Sequence, residues 1–170
     1  NQMMSVPYAL HAGSLKLNVS TTGDTLFSGG GNYVIVPGIS AANTPPLTIG
    51  MNYGGGKIAY ILQPGDPGYV AGETHGIIAA PSDQSSGIQW GCNTFLIGST
   101  TSIAIGAGAT NTALISAACG TGTAARLCAD LVLGGYDDWH LPSYWELFKV
   151  YVNKAAVGGF STGFYWSSTE

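Results

Sequence analysis

Charge is what this sequence has least of. Asp, Glu, Lys and Arg make up 8% of its 170 residues, against about a quarter in an ordinary soluble domain. Only five are Lys or Arg and the formal net charge is −4. With no basic stripe to neutralise phosphates, neither nucleic acid nor an anionic membrane surface is expected as a partner. Long apolar runs are missing too: none approaches the roughly 18 to 20 residues of a membrane helix, so no membrane insertion is expected. The opening NQMMSVPYALHAGSL lacks a basic segment followed by an apolar one. It does not read as a secretion leader, and the first residue reads as an internal cut in something longer.

Cysteine is also scarce, and the three present form neither a C-x-x-C pair nor a zinc-ligand spacing. Cys128 recurs with Leu127, Leu131 and Val132 at helical spacing in TAARLCADLVLGG, as a small core residue would. By elimination Cys92 and Cys119 are the disulfide candidates. What the chain has in abundance is glycine, 26 residues, with many Ser and Thr. Solubility then rests on hydroxyls and backbone, which points to short strands, many turns and an extracellular setting.

Two regions differ in character. Residues 1–46 hold SLKLNVS, DTLF and NYVIVPG, short strand-like runs separated by TTG and SGGGN and ending at Pro45-Pro46. Three such strands are stable only when packed on a neighbouring domain or on copies of themselves, so this segment is expected to be a β-rich connector that oligomerises. Residues 47–170 form the second region. KIAYIL and HGIIAAP suit strands buried on at least one face, and SSGIQWGCNTFLIG continues in strands and turns. Helices are expected late, over about 111–118, 122–133 and 144–156. The last has the clearest start, because Ser143 and Glu146 form an S-x-x-E capping box. The fold class is therefore α+β.

Several motifs approach known chemistry and fall short. MNYGGGKI lacks the first glycine and the final hydroxyl of a phosphate loop, having Met51 and Ile58 there. IAIGAGATNTALI places Gly106 and Gly108 as in a dinucleotide turn but has Asn111 at the third glycine, and reads as a loop entering a helix. Glu73 and His75, two apart, share one face of a strand; without a third ligand they read as a loop-to-strand junction. In GGYDDWHLPSYWEL, Asp137, Asp138 and His140 form a dense polar cluster. Calcium, which takes six to eight oxygens, would find only part of its set in Asp137 and Asp138. The structural account is that Gly134 and Gly135 stop a helix, the Asp pair turns the chain, and Trp139 to Leu141 runs extended into Pro142. No nucleophile elbow or zinc helix is present, so no catalytic residue is assigned. Aromatic residues crowd the last third, where Trp139 and Trp166 read as core. Tyr144 and Trp145, at the start of a helix, are the candidates for exposed ligand contact.

The run LCADLVLGGYDDWHLPSYWEL, followed by GGFSTGFYWSSTE, resembles the Lcl-type C-terminal domain of bacterial collagen-like adhesins and other surface or fibre proteins. GGGKIAYILQPGDPGY and HGIIAAPSDQSSGIQWGC extend the resemblance over about residues 50–170, and QMMSVPYALHAGSL is similar to a connector upstream of such domains. The resemblance implies a C-type-lectin-like fold, displayed as a trimer at the tip of a stalk, that adheres to glycans or other surface ligands without catalysis. Family members continue past YWSSTE with strands that complete the sheet, whereas this sequence stops at Glu170, so the sheet is expected to lack its C-terminal strands or to borrow one from another chain. The E-P-N ligands of animal lectins are absent. The leading expectation is an extracellular, non-enzymatic adhesin module with Tyr144, Trp145, Asp137 and Asp138 as its contact surface. The alternative is a structural subunit of a self-assembling filament. An enzyme on the same fold would need a cofactor or a reactive Cys128.

Overall fold

The computed structural model describes residues 46–92 and 101–170 with their side chains, and residues 10–14, 25–28 and 32–35 as backbone strands. In chain order these give β1 (Leu10–Ser14), β2 (Thr25–Ser28), β3 (Asn32–Ile35), β4 (Asn52–Tyr53), β5 (Gly56–Ile61) and β6 (His75–Ala79). The helices α1 (Gly108–Cys119), α2 (Ala124–Ala129), α3 (Tyr144–Val152) and α4 (Lys154–Val157) follow. β2 and β3 form a hairpin, and the other strands form an antiparallel sheet ordered β1-β6-β5-β4. The architecture is α+β. A ladder from Leu10 opposite Ala79 to Ser14 opposite His75 joins the two stretches that the sequence divides at residue 46. Most of SLKLNVS, and NTFLIG, lie outside the described residues. No helix among the described residues is long and apolar enough to cross a membrane.

β5 and β6 are continuous apolar runs because both faces of the sheet are covered. On one face Ile58, Ile78 and Ala80 pack with Ile115 of α1, Ala124, Ala125 and Cys128 of α2, and Trp139 and Leu141. On the other, Ala59, Tyr60, Ile77 and Ala79 pack with Val150 of α3 and Val157 of α4. Ala59 and Tyr60 are consecutive yet reach the same face, because the register slips between Ile58 and Tyr60 and leaves Ala59 without a partner on β6. Such a bulge strands backbone groups. Asn153 resolves this by donating its side-chain amide to the Ala59 carbonyl at 2.9 Å.

That contact also corrects the expected length of the third helix, which ends at Val152 instead of about 156; Asn153 leaves the helix to dock on β5 and the short α4 follows. α2 is likewise shorter than the expected 122–133. Its last turn is capped by the Asp130 amide, and Val132, which the helical periodicity would bury, is 71% exposed. Gly134 and Gly135 therefore do not stop a helix. With φ of 65° and 84° they form a two-residue turn, and Leu133 and Tyr136 exchange backbone hydrogen bonds of 3.0 and 3.1 Å across it. A Cβ at Gly134 would collide with the backbone of Gly55, so the GGG once compared with a phosphate loop is where two turns cross. α1 begins at Gly108, and Asn111 lies inside it. There Asn111 accepts the Ser102 amide and donates to the Ser102 carbonyl and the Ser168 hydroxyl.

Candidate functional site

The start of α3 carries out the capping box in full: the Ser143 hydroxyl accepts the Glu146 amide and the Glu146 carboxylate accepts the Ser143 amide. Capping glutamates ordinarily face water, whereas Glu146 is completely buried. Its second oxygen accepts the Gly106 amide at 2.7 Å, while Ser143 donates its hydroxyl to the Ala104 carbonyl. One carboxylate thus ties the 102–108 loop to α3. His140, also buried, holds Nε2 3.7 Å from Glu146, an ion-pair distance too long for a hydrogen bond, and neither ring nitrogen has a hydrogen-bond partner. Burial pushes the Glu146 carboxyl up, but the adjacent His140 and the amides of Ser143 and Gly106 outweigh it and hold the group below the usual carboxylate range.

Fixing Glu146 and Val150 inward, four residues apart, turns the rest of α3 outward. The outward face carries Tyr144, Trp145, Phe148, Tyr151 and Val152, all exposed. Trp145 meets Tyr144 and Phe148 edge to face, with ring centroids 5.1 and 5.5 Å away. Tyr144, Phe148 and Tyr151 form one wall of a groove of about 540 Å³ whose other wall is residues 160–165, including Phe160, Phe164 and Tyr165. Lys154 holds its ammonium 4.2 Å from the centre of the Tyr151 ring.

The far wall is placed by distant parts of the chain. Gly158 ends α4 and Gly159 follows with φ of 78°; a side chain at 159 would collide with the Pro81 carbonyl, so only glycine lets the two backbones meet. Beyond it the Tyr165 hydroxyl accepts the Ser161 amide and donates to Asp83 at 2.8 Å. Trp166 donates its indole N–H to the Ile88 carbonyl, and Trp90 donates to the Ser167 carbonyl. Two tryptophans thus stitch YWSS to the segment before Cys92. Cys92 and Cys119 are joined by a disulfide, with Cα atoms 5.0 Å apart.

Tyr144 lines the groove, and Trp145 lies on the same helix face without lining it. Asp137 and Asp138 are exposed on the segment after the glycine turn and are not among the groove residues. Among the described residues no group of three or more His, Cys, Asp or Glu could hold a metal, so the calcium expectation rests on those two carboxylates alone. Trp139 is buried and Trp166 half-buried. Glu73 and His75 pair at 2.8 Å at the entrance to β6. Cys128 is buried and burial pushes its thiol up, so it has neither the access nor the thiolate character of a nucleophile. Neither Phe148 nor Phe164 is expected as a contact from the sequence, where Phe164 reads with Tyr165 and Trp166 as part of a strand. The spacing of Tyr144, Phe148 and Tyr151, at i, i+4 and i+7 on a helix, was the available signal for Phe148. No family profile, no curated protein and no solved structure matches this chain.

Proposed function

We propose that this chain is an extracellular, non-enzymatic binding module of a bacterial surface or fibre protein, with an Lcl-type, C-type-lectin-like domain over residues 47–170. It engages glycans or other surface ligands through the groove between α3 and residues 160–165. The observation that carries this reading is the aromatic wall itself: Tyr144 is 50%, Phe148 43%, Tyr151 57% and, opposite, Phe164 76% exposed. Contiguous exposed apolar surface of this kind marks interaction sites, and aromatic rings with polar tips suit ligands that are apolar on one side and wet on the other. An array of glycans and host-surface proteins tests it. Alanine at Phe148 or Tyr151 is expected to weaken the bound ligand about tenfold, roughly 1.4 kcal/mol; unchanged binding in both variants sinks the reading.

A second reading, a subunit of a self-assembling filament or trimer, is favoured by β1. This strand sits at the edge of the main sheet and comes from a segment whose other described strands form only a hairpin. The same strand added to the sheet of a neighbouring copy would link subunits by backbone hydrogen bonds. Filaments in negative-stain images, beside a blank ligand array, would favour it over the first reading.

A further inference from the structure

The α3 groove carries charge of one sign only. Lys154 is the only charged side chain among the residues that line it. Asp83 accepts the Tyr165 hydroxyl but lines a different hollow. In a chain where acids outnumber bases by nine to five, such a place is unusual. Arg126 pairs with Asp130 at 2.8 Å, whereas Lys154 forms no ion pair with a described carboxylate. Its ammonium lies instead 4.2 Å from the centre of the Tyr151 ring, on the wall of the groove.

From this juxtaposition we infer that the groove takes a free single-chain lipid anion, with a fatty carboxylate as its simplest form. The alkyl tail lies along the rings and the anionic head meets Lys154. The inference rests on the reading of the α3 groove as a ligand surface and adds the class of ligand.

Shape and charge together select this class. The volume of about 540 Å³ falls within the roughly 300–1,000 Å³ of small-molecule sites. A groove with two walls holds one molecule, where a bilayer surface would need a convex or flat face. Tyr144 and Tyr151, two helical turns apart, set about 10 Å of wall, an elongated surface that suits a chain. Opposite, Phe160 and Tyr165 are half-buried and meet edge to face, with ring centroids 5.3 Å apart. An inorganic anion would leave these rings unused, and a neutral alkyl molecule would leave Lys154 unused. A quaternary ammonium, which aromatic rings can otherwise hold, would face the Lys154 charge with no carboxylate to offset it. A tail joined to an anion satisfies both walls, burying apolar surface and supplying the counter-charge.

Titration calorimetry below the micelle threshold with decanoate, hexanoate, decan-1-ol and decyltrimethylammonium tests the inference, beside sedimentation with phosphatidylglycerol vesicles. Decanoate should bind at least about tenfold more tightly than hexanoate, because four more methylenes lie against the rings. Phe148→Ala should weaken decanoate and decan-1-ol alike. Lys154→Gln should weaken decanoate about fivefold and leave decan-1-ol unchanged, and Lys154→Arg should restore decanoate binding. If Lys154→Gln affects neither ligand, or decyltrimethylammonium binds more tightly than decanoate, the anionic head is overturned. If vesicles bind and monomeric decanoate does not, the free ligand is overturned in favour of a membrane surface. If no decyl compound binds while a ligand from the array still depends on Phe148, this inference falls and the groove reading stands. If nothing that binds depends on Phe148, both fall.

Discussion

The two sides of α3 invert the usual placement of residues. Inward, against the 102–108 loop, lie a glutamate with no exposed surface and a histidine that is 3% exposed; outward stand Tyr144, Phe148 and Tyr151. A buried carboxylate is tolerated because the amides of Gly106 and Ser143 replace its water, with His140 at ion-pair distance, 3.7 Å, beside it. Exposed rings gain nothing from burial, so the fold gives no account of why they are aromatic. The inner seam, dense in recognisable motif, builds the molecule, and the outer face, with little motif, is left to meet something else.

Breaking the seam should have the largest effect. Glu146→Ala strands the amides of Ser143 and Gly106 and leaves His140 without its partner, which should cost about 3–5 kcal/mol in urea unfolding. Glu146→Gln keeps the volume and should cost less. Because the folded-state carboxyl lies below its ordinary value, its contribution is fully present above the unfolded glutamate pKa of about 4.3 and is lost as pH falls through that value to the lower folded one. The urea midpoint of the native protein should therefore drop across this acid window, and that of Glu146→Gln should drop less. Parallel curves would show that Glu146 titrates as it does in the unfolded chain.

The disulfide is the second device on the structural side. Cys92 and Cys119 are 27 residues apart, and opening a loop of that size should cost about 3–4 kcal/mol on the chain-entropy account. The Cys92→Ser, Cys119→Ser variant, measured by denaturation without reductant, should lose that stability and retain ligand binding. Loss of binding in protein that is still folded would mean that the groove depends on the Trp90–Trp166 stitching being held taut from Cys92.

What could be read in the sequence was local. The Ser143–Glu146 box, the strands KIAYIL and HGIIAAP, and the core placement of Cys128 and Trp139 each follow from neighbours within a few positions. The burial of Glu146 did not, because it depends on the Gly106 amide, 40 residues away. The helical period ran on through Leu131 and Val132, but the Gly134-Gly135 turn, pressed against Gly55, takes those residues out of the helix. The far wall of the groove was out of reach for the same reason: Gly159 meets Pro81 and Tyr165 meets Asp83 across about eighty positions. Of the four contact residues expected, the fold places Tyr144 in the groove, Trp145 beside it, and Asp137 and Asp138 elsewhere on the surface.

A smaller effect on stability is expected where the two sides of the comparison meet. Tyr165→Phe keeps the ring of the groove wall but removes the hydroxyl that binds Ser161 and Asp83. With both partners able to reach water, the loss should be about 1 kcal/mol. Ligands held by the rings should bind nearly as before. Weakened binding to the rings would show that the hydroxyl positions the whole wall.

The smallest stability effect belongs to Tyr151→Ala, and its near-absence is the point of the measurement. Tyr151 is 57% exposed, and the Lys154 ammonium lies 4.2 Å from the centre of its ring. An exposed contact of that kind contributes about 0.5–1 kcal/mol. Alanine is the better helix former by several tenths of a kcal/mol, so the two terms nearly offset and the unfolding free energy should move by no more than about 0.5 kcal/mol. Binding should meanwhile fall about tenfold. A residue that serves the fold would show the reverse. If Tyr151→Ala lowers the melting temperature by many degrees while binding at low temperature is intact, the outer face is core whose covering is supplied by another chain, and the filament reading takes precedence.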